Sequence, residues 1–381
     1  MRSRWKILFL SVCAVAVFAA ASWPGQADFR KEVDLFGSVM SLIRVSYVDD
    51  ISLRRLAEGA MNGMLKTLDP YSQYLDEKAY QELKSETKGE FGGIGLEVSV
   101  KGGLLHVISP LDGTPADLAG VRPGDLIVKI DAVATKDMTL AEAVRRMRGV
   151  PGSAVMLSVI HEGGTGVSDI EVKREVVKVP GVREAKMLEG GIGYIRVSEF
   201  QEQTAKDFKK ALDDLQGQGL KALIVDVRNN PGGLLSAAVD VAENFIPAGK
   251  VIVSTKGRLS SKSNRYVSRN KEPLEIKPFV LLVNKGSASG SEILAGAAQD
   301  YGFATLVGTR TYGKGCVQTL TPLKDGTAVR ITTSKYYTPN GRLIHEVGIT
   351  PDVVVADNSK NEEDLQLIRA LEHIRVELTH A

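Results

Sequence analysis

The apolar pattern changes its period several times along the chain. Ile7 to Ala21 is an almost unbroken apolar run, preceded by Arg2, Arg4 and Lys6, and no acidic residue occurs before Asp28. A basic start, an apolar stretch and small residues beyond it are the layout of an export signal, and the run falls short of the ~20 residues of a membrane span. Gly25-Gln26-Ala27 offers small residues for cleavage, with Ala19-Ala20-Ala21 as a rival site. Residues 1–27 therefore read as a signal peptide or signal anchor. From 28 to 85 the spacing is helical: Val33, Phe36, Val39, Met40 and Ile43, then Leu56, Ala60, Met61, Met64 and Leu68. Asp69-Pro70 stops the second run.

Residues 86–178 turn to short alternating stretches. Leu96, Val98 and Val100 follow a glycine loop, and strands are expected at Leu104–Ile108, Leu126–Ile130, Val155–His161 and Asp169–Arg174, with a helix at Thr139–Arg148. This is a compact β-rich module. From Gly191 the rhythm becomes βα: strands Gly193–Val197, Ala222–Val227, Val251–Ser254, Phe279–Val283 and Thr305–Gly308 interleave with helices Thr204–Gln216, Leu235–Phe245 and Ser291–Tyr301. Alternation of that kind predicts an α/β layer architecture for 179–357. In 358–381, Leu365, Ile368, Leu371, Ile374 and Leu378 recur at helical spacing, so this tail needs a surface to dock on.

Composition narrows the class. With 43% hydrophobic and 25% charged residues in 381, disordered, collagen-like and coiled-coil readings fall away. A net charge of +2 argues against a nucleic-acid partner. Two cysteines, Cys13 and Cys316, cannot build a disulfide framework or a four-thiolate metal site. His106, His161, His373 and His380 lack metal-ligand spacing, and Lys314 is followed by Gly315, which fails a phosphate loop. No metal or cofactor is implied.

Three glycine- or serine-rich turns sit at the C-terminal ends of expected strands, where open α/β sheets place their sites. Asp226–Gly233 ends in Gly232-Gly233, whose amides can approach an anion closely. Asn284–Ala297 carries Ser287, Ser289 and Ser291 at a helix start. Ser289 and Glu292 have capping-box spacing, yet a hydroxyl there also lies at the positive end of the dipole, beside amides able to hold an oxyanion. Thr311–Gln318 places Lys314 between two glycines, where burial would lower its pKa and let a neutral amine accept a hydroxyl proton. On a strand, Gln318 would face the same side as Lys314.

The string Asn284–Ala297, followed by Gly313-Lys314-Gly315 and Gln318, resembles the carboxyl-terminal processing peptidases, or tail-specific proteases. That family uses a Ser–Lys dyad with an accessory glutamine, and Ser289, Lys314 and Gln318 reproduce its spacings of 25 and 29 residues. Asp226–Gly233, Tyr337–Arg342 and Gly348–Asp352 resemble its other motifs, and Asp300 aligns with an acidic position of the family. The 86–178 module resembles a PDZ domain, with Gly93, Ile94, Gly95 and Leu96 as its carboxylate loop. Two departures stand out: Gly290 replaces the usual alanine after the nucleophile, and Cys316 sits between lysine and glutamine.

The resemblance implies a crotonase-like α/β protease core preceded by the PDZ domain and an N-terminal helical segment. It implies a serine endopeptidase, periplasmic or otherwise exported and touching membrane only through its N-terminus. Ser289 would attack, Lys314 accept the proton, Gln318 orient the amine, and the amides of Gly290 and of Gly232 or Gly233 hold the oxyanion. Partners would be proteins with free, apolar C-termini; an adaptor protein and a homodimer are compatible with it. A Ser289-His345-Asp300 triad is the competing site. A catalytically inactive PDZ scaffold of the cell envelope and a small-molecule amidase are the competing functions.

Overall fold

The computed structural model describes residues 26–111, 113–136, 138–356 and 363–380. The export signal read in residues 1–27 lies outside them except for Gln26 and Ala27, which open the first helix. No helix among the described residues is long and apolar enough to cross a membrane.

The chain divides into two units at Tyr74/Leu75. In the first, helices run over Gln26–Ser46 and Leu53–Lys66, and the Ser52 hydroxyl caps the second by accepting from Arg55 N (3.2 Å). Val33, Phe36 and Val39, the apolar row of the longer helix, face solvent. The expected stop at Asp69-Pro70 becomes a turn in which the Asp69 carboxylate accepts from the amides of Tyr71 and Ser72.

In the second unit, Asp76 caps a helix over Glu77–Thr87. An antiparallel sheet follows, ordered Leu96–Lys101, Leu104–Pro110, Leu126–Ile130, Ala154–Ile160, Val167–Lys173. Its apolar face closes on Ile94, Leu105, Ile127, Leu157 and the inner side of the helix Leu140–Met147. Thr139 and Glu142 form a reciprocal capping box at that helix's start. At its other end the buried Arg174 guanidinium donates to the carbonyls of Arg146, Met147 and Ala154, a cation placed at the negative end of the dipole.

The core is a six-stranded sheet ordered Val182–Leu188, Ile192–Val197, Ala222–Asp226, Phe279–Val283, Thr305–Gly308, Val353–Val354, parallel throughout except for its first pair. Period-2 alternation sorts its residues between two cores. Leu223, Val225, Leu281 and Val283 pack against helices Thr204–Gly217, Leu235–Glu243 and Gly290–Tyr301. Ile224, Val280 and Leu282 face the other way and meet Ala370 and Ile374 of the tail helix Leu365–His380. The surface that the amphipathic tail required is thus the back of this sheet. Both faces being covered explains why Ala222–Asp226 and Phe279–Val283 are apolar without alternation.

Strands Val182–Leu188, Cys316–Pro322 and Ala328–Tyr337 have no counterpart in the expected element list. The last two form a long hairpin that pairs on with Val251–Gly257. Most of their side chains are half-buried, with polar residues on both faces, so no period-2 signal survives.

Candidate active site

The three turns singled out in the sequence converge at the C-terminal edge of the parallel sheet. Their frame is a hydrogen-bond lattice between the first two. Asn284 Oδ1 accepts from the amides of Asn229 (2.8 Å) and Gly286 (2.9 Å), while its Nδ2 donates to Asn229 Oδ1 (2.9 Å). Ser287 Oγ donates to the Val227 carbonyl and Ser291 Oγ to the Asn230 carbonyl, 2.8 and 2.9 Å. Two of the three serines are therefore buried clamps between turns, which accounts for hydroxyls that capping alone did not require.

Ser289 differs from both. Its backbone has φ +50° and ψ −107°, a region that costs a non-glycine residue of order 1–3 kcal/mol and persists only where surroundings enforce it. Enforcement is visible on each side. The Ala288 amide donates to the Asn230 carbonyl (3.0 Å), the Ser289 amide donates to Glu292 Oε2 (2.9 Å), and the Ser289 carbonyl accepts from Glu292 and Ile293 amides. The hydroxyl hydrogen-bonds the phenol of Tyr336, whose ionisation burial pushes well above the ordinary tyrosine range. Nothing in the sequence pattern marked Tyr336, because it reaches Ser289 through the unexpected hairpin.

The glycine turn packs directly on this serine. A Cβ on Gly232 would lie 2.7 Å from Ser289 Cβ and 2.9 Å from Gly290 N. The Gly232 N–H itself donates to Asn230 Oδ1 (2.8 Å), so in this arrangement that amide is already engaged. At Gly233 a Cβ would strike the Phe200 backbone at 2.2 Å, and Phe200 bonds both neighbours of Gly233, its amide to the Gly232 carbonyl and its carbonyl from the Leu234 amide.

Lys314 follows in the loop Gly313-Lys314-Gly315, and the strand begins only at Cys316. Burial lowers the amine's pKa; Cys316 opposes this, Arg330 adds to it, and Glu292 opposes it. The expected same-side relation of Lys314 and Gln318 does not follow from strand parity, since Lys314 precedes the strand and the register shifts between Val317 and Gln318. The Gln318 side-chain nitrogen is buried without a hydrogen-bond partner among the described residues. The thiol of Cys316 is buried.

Glu292 joins the serine and lysine turns. Its carboxylate is fully buried and accepts from Ser289 N (2.9 Å), Lys314 N (2.9 Å), Gly313 N (2.7 Å) and Thr311 Oγ1 (2.6 Å). The acid of the triad alternative is engaged elsewhere. Asp300 accepts from the Asn340 amide (2.8 Å) and pairs with Arg342, while His345 has Glu346 as its acidic neighbour at 3.9 Å.

The β-rich module contributes a second concavity. Ile94, Leu96, Leu140, Val144 and Met147 line a cavity of about 230 Å³ beside the Gly93–Leu96 loop, with Arg148 at its rim. Gly95 has φ +77°, and a Cβ there would lie 2.4 Å from Thr114. An adjoining polar cleft shares Phe91, Arg148 and Arg183 and continues to Glu199 and Gln201, flanking Phe200. Arg148 pairs with Glu86 (2.8 Å) and lies over the Phe91 ring.

Comparison with known proteins identifies the family. The model of peptidase family S41 matches residues 191–355, a PDZ domain model matches 106–160, and that of the activating protease CtpB N-terminal domain matches 16–79. A carboxy-terminal-processing protease of Bartonella bacilliformis is 41% identical over 352 residues, 91% of this chain and 80% of that protein. The chain belongs to the carboxy-terminal processing protease family. It is accordingly a serine-type peptidase with a PDZ domain. Carboxy-terminal processing protease CtpA of Bacillus subtilis is 36% identical across 84% of this chain and 68% of its own. Among solved structures, a photosystem II D1 C-terminal processing protease superposes with a TM-score of 0.52 at 30% identity, covering 86% of this chain and 88% of its own.

Proposed function

We propose that this carboxy-terminal processing protease is an exported endopeptidase that binds protein C-termini in its PDZ groove and cleaves them through a Ser289–Lys314 acyl-enzyme mechanism. The observation that carries the reading is the enforced backbone of Ser289, a nucleophile candidate held at a helix start against the glycine turn. Neutral Lys314, its ammonium disfavoured by burial, takes the hydroxyl proton after that hydroxyl turns from Tyr336. Ser289 Oγ attacks the scissile carbonyl, and the protonated lysine then gives its proton to the leaving amine. Water, deprotonated by the same amine, releases the acyl group.

The oxyanion falls to the amides of Gly290 and Gly233; Gly232 could join only by leaving Asn230 Oδ1. Gln318, whose side-chain nitrogen lacks a hydrogen-bond partner among the described residues, orients the Lys314 amine. In the PDZ domain the extended tail adds to the edge of Leu96–Lys101. Its carboxylate meets the amides of the Gly93–Leu96 loop, and its last apolar side chain enters the cavity under Val144 and Met147. The basic and apolar start of the chain supports export to the periplasm.

The test compares wild type with Ser289→Ala and Lys314→Ala on an unfolded protein carrying an apolar tail, with and without tail amidation. Both variants should be inactive and amidation should slow cleavage. Cleavage surviving Ser289→Ala removes the mechanism; indifference to amidation removes tail recognition.

A further inference from the structure

We propose that Glu292 is the positioning residue that holds the Ser289 turn and the Lys314 loop in one fixed geometry, acting as a buried anion shared by both. The inference rests on the Ser289–Lys314 reading above. One oxygen, Oε2, accepts from the amides of both residues at 2.9 Å each, so nucleophile and base are anchored to the same atom. The other, Oε1, accepts from the Gly313 amide and the Thr311 hydroxyl.

The chemistry of these partners requires the ionised form. Backbone amides can only donate, and Thr311 Oγ1 already accepts from the Ile349 amide (2.7 Å), so its one hydrogen points to Glu292. All four partners are therefore donors, and a proton on the carboxyl would face one of them. Burial raises the Glu292 carboxyl above its ordinary value and the four donors offset that rise only in part, while the helix start at Gly290 favours a negative charge there. A glutamine of equal size would turn an NH₂ group toward a donor.

The charge also reaches Lys314. The groups that bear on this amine are Glu292 from the helix Gly290–Tyr301, Cys316 from its own strand and Arg330 from the paired strand. Tyr336 lies on that paired strand, and the backbone of His345 packs on Gly315. Glu292 favours the ammonium, so its neutralisation should ease deprotonation of Lys314 while the geometry worsens. A residue that only stabilised the fold would not combine those effects.

The experiment measures kcat, KM and the pH dependence of kcat for Glu292→Gln and Thr311→Val in the full chain, with Ser289→Ala and Lys314→Ala as controls and circular dichroism to verify folding. Glu292→Gln should lower kcat by about 10²-fold, the scale of a misplaced reacting pair, with KM unchanged and the ascending pH limb moved to lower pH. Thr311→Val retains the charge and removes one donor, so kcat should fall less and the limb should stay in place. A folded Glu292→Gln with an unmoved limb or wild-type kcat overturns the proposal. Should that variant fail to fold, a Thr311→Val enzyme with wild-type kcat overturns it instead. Activity in Lys314→Ala would remove the dyad reading itself, a distinct failure.

Discussion

The ring of Phe200 occupies the space that a side chain on Gly290 would need. A Cβ at Gly290 would lie 2.8 Å from Phe200 Cδ2 and 3.1 Å from Ala238 Cβ. Phe200 is fully buried, so its ring has no open space to move into. The same Phe200 bonds the Gly232 carbonyl, so pressure on its ring is transmitted to the glycine turn. Gly290→Ala should therefore cost about 1–3 kcal/mol of stability by overpacking and lower kcat/KM. Phe200→Leu added to it should recover part of both. Urea denaturation and kinetics of the double-mutant cycle check this, because residues in contact are expected to be non-additive.

The pH dependence of hydrolysis should place Lys314 below its ordinary value of 10.5, since burial disfavours its ammonium. Arg330 adds to that depression, so Arg330→Gln should move the ascending limb to higher pH. The stability consequence has the opposite sense from a salt bridge. A lysine whose folded pKa is depressed is destabilising while charged, and the penalty fades as pH rises toward the unfolded value. Lys314→Met should accordingly unfold at higher urea than wild type at neutral pH, with the difference shrinking as pH rises toward about 10.5.

Gly95 should govern tail binding without touching the chemistry. Its φ of +77° costs an L-residue about 1–2 kcal/mol, and Thr114 stands 2.4 Å from where a Cβ would go. Gly95→Ala should raise KM for substrates with apolar tails. Its kcat on a short tailless reporter peptide should remain at the wild-type value, as measured by fluorescence release.

Ile374→Ala in the tail helix should destabilise the protein by about 2–5 kcal/mol, the range for truncating a fully buried side chain. The cavity would open on the back of the sheet, away from Ser289, so kcat measured well below the unfolding transition should be retained. Thermal unfolding and kinetics separate the two effects.

Legibility in the sequence followed burial. Strands enclosed on both sides, Ala222–Asp226 and Phe279–Val283, declare themselves as apolar runs, and the tail helix declares the need for a docking face. Ser289, Lys314 and Gln318 stood out through spacing and glycine context, whereas the strand parity invoked for Gln318 did not carry over, because Lys314 precedes the strand. The hairpin Cys316–Tyr337 was hidden because its residues are half-exposed, and with it Tyr336 and Arg330. Glu292 was visible only as a capping residue. Three of its four donors, Thr311, Gly313 and Lys314, come from a loop some twenty residues away that only the tertiary fold brings near. Asp300, suggestive in sequence, turns out to brace the Asn340–Arg342 turn.

The tie between Arg228 and the tail helix joins the strand beneath the glycine turn to the end of the chain's fold. Arg228 bridges Asp226, beneath the glycine turn, to Asp364 at the helix start, at 2.6 and 2.7 Å. Ala370 and Ile374 then cover a sheet face that would otherwise present Ile224, Val280 and Leu282 to water. A nascent chain that has emerged only as far as residue 363 already contains every proposed catalytic group but lacks the lid over that sheet face. The apolar back of the sheet is therefore closed only when the last helix docks, after every other strand and helix of the core has been made.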